Sequence, residues 1–194
     1  MVQTARIAAT TLALILLSSS AVLAAPITYF ASLDGPSEAP PNNSPGTGFA
    51  SVEIDTVAHT MRIQANFTGL LGTTTAAHVH AATATPFTGT AGVATQTPSF
   101  AGFPLGVTSG SMDQTFNTLD AGTWNSAYIT ANGGTTAGAE AAFASALAEG
   151  RAYFNIHSSQ FGGGEIRGFL AIPEPGTAGL LGTMGLLLLS RRRR

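Results

Sequence analysis

The residues best placed to do chemistry are histidines, and three of them sit in strand-like settings. His78 and His80 flank Val79, and His157 follows Asn155 and Ile156. Successive side chains of a strand point to opposite faces. His78 and His80 therefore project together, with Val79 on the opposite face. Tyr153, Asn155 and His157 share one face, and Phe154 and Ile156 take the other. Two imidazoles at i and i+2 on one strand, joined by a third from another strand, form a nitrogen-rich site suited to copper or zinc. The spacing fixes no fourth ligand. The same three residues also read as a buried polar network, satisfied by Asn155, Glu38 and backbone groups. Both readings need the two strands to lie side by side. The final hairpin is expected to set Glu165 beside His157, and Glu38 to approach from a proline-rich loop. Glu165 and Arg167 read as a surface or hairpin ion pair, which contributes little when exposed. The fourth histidine, His59, falls in a hairpin turn and is expected to face solvent.

Other chemistries are poorly served. There is no cysteine, so thiolate nucleophiles, thiolate metal sites and stabilising disulfides are excluded. Serines and acids are plentiful, but no Gly-x-Ser-x-Gly elbow or other nucleophile–base pattern is present, and hydrolysis ranks last. The reading is of a non-enzymatic protein. Five of the eight arginines (Arg6 and Arg191 to Arg194) sit at the two ends, and lysine is absent. Between the ends, Arg62, Arg151 and Arg167 stand against nine acids, which leaves a formal charge of −6. Phosphate backbones need a basic footprint, so nucleic acid is excluded as a partner.

These side chains must be positioned by short strands. Ile27 to Leu33, Phe49 to Asp55, Thr60 to Phe67, Ala76 to Ala82, Arg151 to Ser158 and Glu165 to Ile172 all read as β-structure, divided by turns rich in Gly, Pro and Asn. Thr56-Val57-Ala58-His59 closes a hairpin, and Phe161-Gly162-Gly163-Gly164 closes another. Gly89 to Ser111 reads as loops and edge strands. One helix is expected over Ala137–Glu149, capped by Gly150. Phe143, Ala146 and Leu147 share its packing face. Many short strands with one helix argue a mainly β protein, an antiparallel β-sandwich. The segment of 148 residues from Ala25 to Ile172 suffices for a single core.

The ends read differently. Arg6, the apolar run Ile7 to Leu17 and the small residues before Ala24 make a signal peptide for signal peptidase, too short to span a bilayer. At the other end, Pro173-Glu174-Pro175 keeps the chain extended. An apolar stretch and Arg191, Arg192, Arg193 and Arg194 follow. Such a stretch stops in a membrane with its arginines on the cytoplasmic side. Gly176 to Ser190 holds 15 residues, short for a span, and thinning with arginine snorkelling can meet the deficit.

This order of Pro-Glu-Pro, apolar helix and arginine tail, over about the last 22 residues, resembles the PEP-CTERM sorting signal of Gram-negative bacteria. The resemblance implies an inner-membrane intermediate, processing by an exosortase, and delivery to the cell surface or extracellular matrix. The central segment carries a second resemblance. Phe30 to Gly35, Ser37-Glu38-Ala39-Pro40-Pro41, Gly48-Phe49-Ala50, Ala76-Ala77-His78-Val79-His80, Gly150 to Ser158 and Gly163-Gly164-Glu165-Ile166-Arg167-Gly168 follow in the order of a CHRD domain, named from chordin and widespread in bacterial secreted proteins. That family implies a β-sandwich and no set activity. His78-Val79-His80 also resembles the copper strand of Cu/Zn superoxide dismutase, another sandwich. The other dismutase ligands and its electrostatic arginine do not map here, and the activity is not carried over. The expected organisation is a signal helix over 1–24, an immunoglobulin-like or dismutase-like domain over 25–172, and a sorting signal with a membrane helix over 173–194. The expected role is an exported binding or structural module, with a surface protein or polysaccharide as partner. The alternative is a copper or zinc module on His78, His80 and His157.

Overall fold

The computed structural model describes residues 25–173. The signal peptide expected over 1–24 and, apart from Pro173, the sorting signal, membrane helix and arginine tail expected over 173–194 lie outside the described residues. Among the described residues, no helix is long and apolar enough to cross a membrane.

Among the described residues, seven strands and two α-helices follow in chain order. They are β1 Ile27–Asp34, β2 Thr47–Asp55, β3 Thr60–Thr68, β4 Thr74–Ala81, β5 Gly110–Asn117, α1 Ser126–Ala131, α2 Thr136–Ala148, β6 Ala152–Ser158 and β7 Ile166–Phe169. Alternation fixes the strand faces. Tyr29, Ala31 and Leu33 of β1 and Met61, Ile63, Ala65 and Phe67 of β3 are all buried. Their outward neighbours Arg62, Gln64 and Asn66 are exposed. The β2–β3 turn closes because Asp55 accepts hydrogen bonds from the amides of Val57 and Ala58 at 2.9 and 2.8 Å. His59 takes the left-handed φ of 55° that the turn requires.

The strands form one antiparallel sheet in the order β4-β6-β7-β1-β2-β3-β5. The expected mainly β, antiparallel fold is found, and its sandwich-like form is built from one continuous curled sheet rather than two separate ones. The join is β7 on β1, through Asp34↔Arg167 and the bridge Phe30↔Ala171. A side chain on Gly168 would collide with the carbonyl of Ser32. Glycine at this position lets the two strands meet, and the sheet curls into an open half-barrel around its core.

The inner face is plugged by α2, where Phe143, Ala146 and Leu147 are buried as expected, together with Ala139 and Glu140. Phe143 meets Trp124 edge-on at 5.3 Å between ring centroids. Thr135 caps the start of α2 through the amide of Gly138 at 3.0 Å. Gly150, at φ 66°, supplies the left-handed exit. Two helices form rather than one. Helix α1 has six residues, too few to show a period, and is nucleated by the Asn125 cap on the amide of Ala127.

Candidate metal centre

The three histidines meet on the outer face of the sheet, where loops cover it. Strand β6 lies against β4 with Ala76↔His157, His78↔Asn155 and His80↔Tyr153 opposed. His157 is therefore the diagonal neighbour of His78, within side-chain reach. Ring centroids are 4.7 Å apart for His78–His80 and for His78–His157, and 6.2 Å for His80–His157. One ligating nitrogen from each lies within 4.8 Å of the others.

Backbone carbonyls orient each ring. His78 Nδ1 is 3.2 Å from the Pro98 oxygen, His80 Nδ1 2.8 Å from Ala91, and His157 Nδ1 2.9 Å from Gly162. A carbonyl only accepts, so each Nδ1 carries the hydrogen and each Nε2 is left with its lone pair. His78 Nε2 and His157 Nε2 stand 2.9 Å apart. Two such lone pairs repel each other unless a cation lies between them. His80 Nε2 is buried with no hydrogen-bond partner. Burial pushes His78 down to about 3, with the neighbouring His80 and His157 adding to the effect. Burial likewise pushes His80 down to about 4 and lowers His157. The rings are therefore neutral at neutral pH, the state in which imidazole ligates a metal. A carbonyl behind each ligating ring is the usual outer support of a histidine metal site.

The surroundings are polar and stacked. His80 lies flat on Tyr153 at 4.7 Å and 5°. The Arg167 guanidinium stands 4.7 Å from the same ring. Arg167 donates to the carbonyls of Ser37 and Gly89. Glu38 approaches from its proline-rich loop, but toward Arg167, at 3.9 Å, and not as a member of the histidine group. Burial raises its carboxyl to about 7 against the pull of Arg167. Glu38 Oε1 and Asn155 Oδ1 are both buried without partners. Both border the space that a side chain on Gly164 would fill, at 2.5 and 2.6 Å.

Three sequence expectations are corrected. Glu165 does not stand beside His157: the β6–β7 ladder ends at Ile156↔Ile166. Gly164, at φ 131°, then turns the chain. The Glu165 carboxylate instead accepts from the Ser44 hydroxyl at 2.6 Å and the amides of Leu71 and Gly72 at 2.5 and 3.2 Å. Glu165 and Arg167 are buried, not exposed, and the carboxylate facing Arg167 is Glu38. His59 is only part-exposed, its Nδ1 2.9 Å from Glu140 of α2. The carbonyls of Ala91, Pro98 and Gly162 were beyond sequence reasoning, because any residue carries one. Tyr153 was placed on the correct face by alternation alone.

No curated protein and no solved structure matches the chain. The family model for the CHRD domain matches residues 29–170, which takes in every strand and all three histidines of the cluster, and the chain belongs to the CHRD domain family.

Proposed function

We propose that this protein is an exported CHRD module that binds one copper or zinc ion through His78, His80 and His157. The observation that carries the reading is that one ligating nitrogen from each of three histidines, whose Nδ1 atoms are each tied to a carbonyl, lies within 4.8 Å of the others, with His78 and His157 Nε2 only 2.9 Å apart. Histidine ligands hold zinc at about 2.0–2.1 Å, and three of them leave a further position for water or a ligand. All three donors are neutral nitrogens, and imidazole suits both copper and zinc. Calorimetric titration of the purified protein with each metal, with elemental analysis, tests this. Roughly one ion should bind per chain, and His80→Ala should weaken binding by about 10- to 100-fold or more. Binding unchanged in His80→Ala and His157→Ala would remove the site.

Export and sorting complete the reading. The ends support a route through signal peptidase, a membrane-held intermediate and an exosortase to the surface of a Gram-negative cell. A domain that closes at Ala171 and leaves Ile172 and Pro173 exposed suits that route, since a cut there spares every strand.

A further inference from the structure

The outer face of the sheet has two halves. Loops cover the half carrying the histidines. The half made by β1, β2, β3 and β5 is open, and a groove of about 510 Å³ runs across it. The register builds this groove in rows. Phe30, Ser51, Gln64 and Asp113 oppose one another from strand to strand in a single row. The next row runs through Phe49, Asn66 and Ser111. Adjacent strands are about 4.8 Å apart, so hydroxyl, amide and carboxylate groups recur at intervals close to the size of one sugar ring.

Two features of this face choose the ligand. The first is an aromatic edge. Phe30 and Phe49 stack at 5.8 Å, and Phe49 is 43 % exposed on a face whose other exposed positions are polar. A phenyl face, electron-rich at its centre, suits the C–H-bearing face of a sugar. The second is charge. The groove's carboxylate, Asp113, takes both Nε and Nη2 of Arg62 at 2.8 and 2.7 Å, and also Gln64 Nε2 at 3.1 Å. Among the described residues, no free cation is left on this face to meet a uronate, sulfate or phosphate. The paired acid still offers acceptor lone pairs to hydroxyl groups. The polar groups Ser51, Gln64, Asn66, Ser111 and Asp113 stand between and beside the apolar lining, so a wholly apolar peptide would leave them without partners.

We propose that this open face binds a neutral polysaccharide, with Phe30 and Phe49 as the stacking platform and Gln64, Asn66 and Asp113 as hydrogen-bonding groups. The site is separate from the histidine cluster and does not depend on metal.

Affinity electrophoresis of the purified protein tests it, in native gels containing hydroxyethylcellulose, glucomannan, dextran or the polyanion alginate. At least one neutral polymer should retard the protein, and alginate should not. Phe49→Ala and Asn66→Ala lie on the surface, and thermal melts should confirm that both fold. Each should weaken retardation about tenfold or more, while His80→Ala leaves it unchanged. No retardation by any of the neutral polymers would overturn the proposal. So would retardation that survives both face substitutions, or stronger binding to alginate. Sedimentation covers the remaining occupant: a dimer that Phe49→Ala dissociates would assign the face to a second copy instead.

Discussion

Glu38 is a buried carboxyl beside an arginine whose hydrogens go to carbonyl oxygens. Burial raises its pKa to about 7, above the usual value near 4.5. Between those values the folded protein holds a proton that the unfolded chain releases. The stabilising contribution is full below about pH 4.5 and is lost as pH rises through about 7. Glu38→Gln keeps the shape and removes the charge. It should therefore raise the melting temperature at pH 8, by the equivalent of roughly 1–3 kcal/mol, and change little at pH 5. A melting difference that stays flat from pH 5 to 8 would show that the Glu38 carboxyl is not raised. The histidines behave differently, because the Nε2 atoms of His78 and His157 face one another at 2.9 Å and that of His80 is buried without a partner. A metal that binds only the folded state at about 100 times its dissociation constant should add ~2.7 kcal/mol of stability. In His80→Ala, which binds 10- to 100-fold more weakly, the increment at the same metal concentration should fall to about 1.4 kcal/mol or less.

At the scale of elements, the helix and the hairpins were legible because their signals are local. Ala137–Glu149 was expected, and α2 runs over Thr136–Ala148. The β2–β3 pair was expected from its turn and forms in full register. Phe143 has no exposed surface and packs on Trp124. Phe143→Ala should cost about 3–5 kcal/mol in chemical denaturation; a change within roughly 0.5 kcal/mol would mean that the helix does not plug the core. Thr135→Ala removes only the cap on Gly138, and should cost about 0.5–2 kcal/mol. What the sequence hid was non-local. Strands β4 and β6 are neighbours in space, although β5 and both helices separate them in the chain. Alternation could align His78 with His80, and Asn155 with His157, but could not make the two strands adjacent. Glu165 was misplaced for a related reason. Alternation counts residues from a regular ladder, and Gly164 breaks that count one residue earlier.

For the whole molecule, the single curled sheet sets where the last strand contact among the described residues falls. Strand β7 is enclosed between β6 and β1, and the chain leaves it through the Phe30↔Ala171 bridge. Leu170 is fully buried, and Ile172 is 55 % exposed. Among the described residues, the last sheet contact is therefore made at Ala171. Removing the chain beyond that point should leave the core intact, so a protein ending at Pro173 should melt within the usual surface-substitution range, roughly ±0.5 kcal/mol, of the longer form in detergent. Under the proposed sorting route, a membrane protease would cut at Pro173-Glu174-Pro175, where each proline disfavours helix at the residue before it. Protein recovered from the surface of its native cells should then have an intact mass that lacks Arg191 to Arg194 and the apolar stretch before them. Peptide mapping should place the new end near Pro173. Recovery of the full tail, or of an end upstream of Leu170, would contradict processing at this junction.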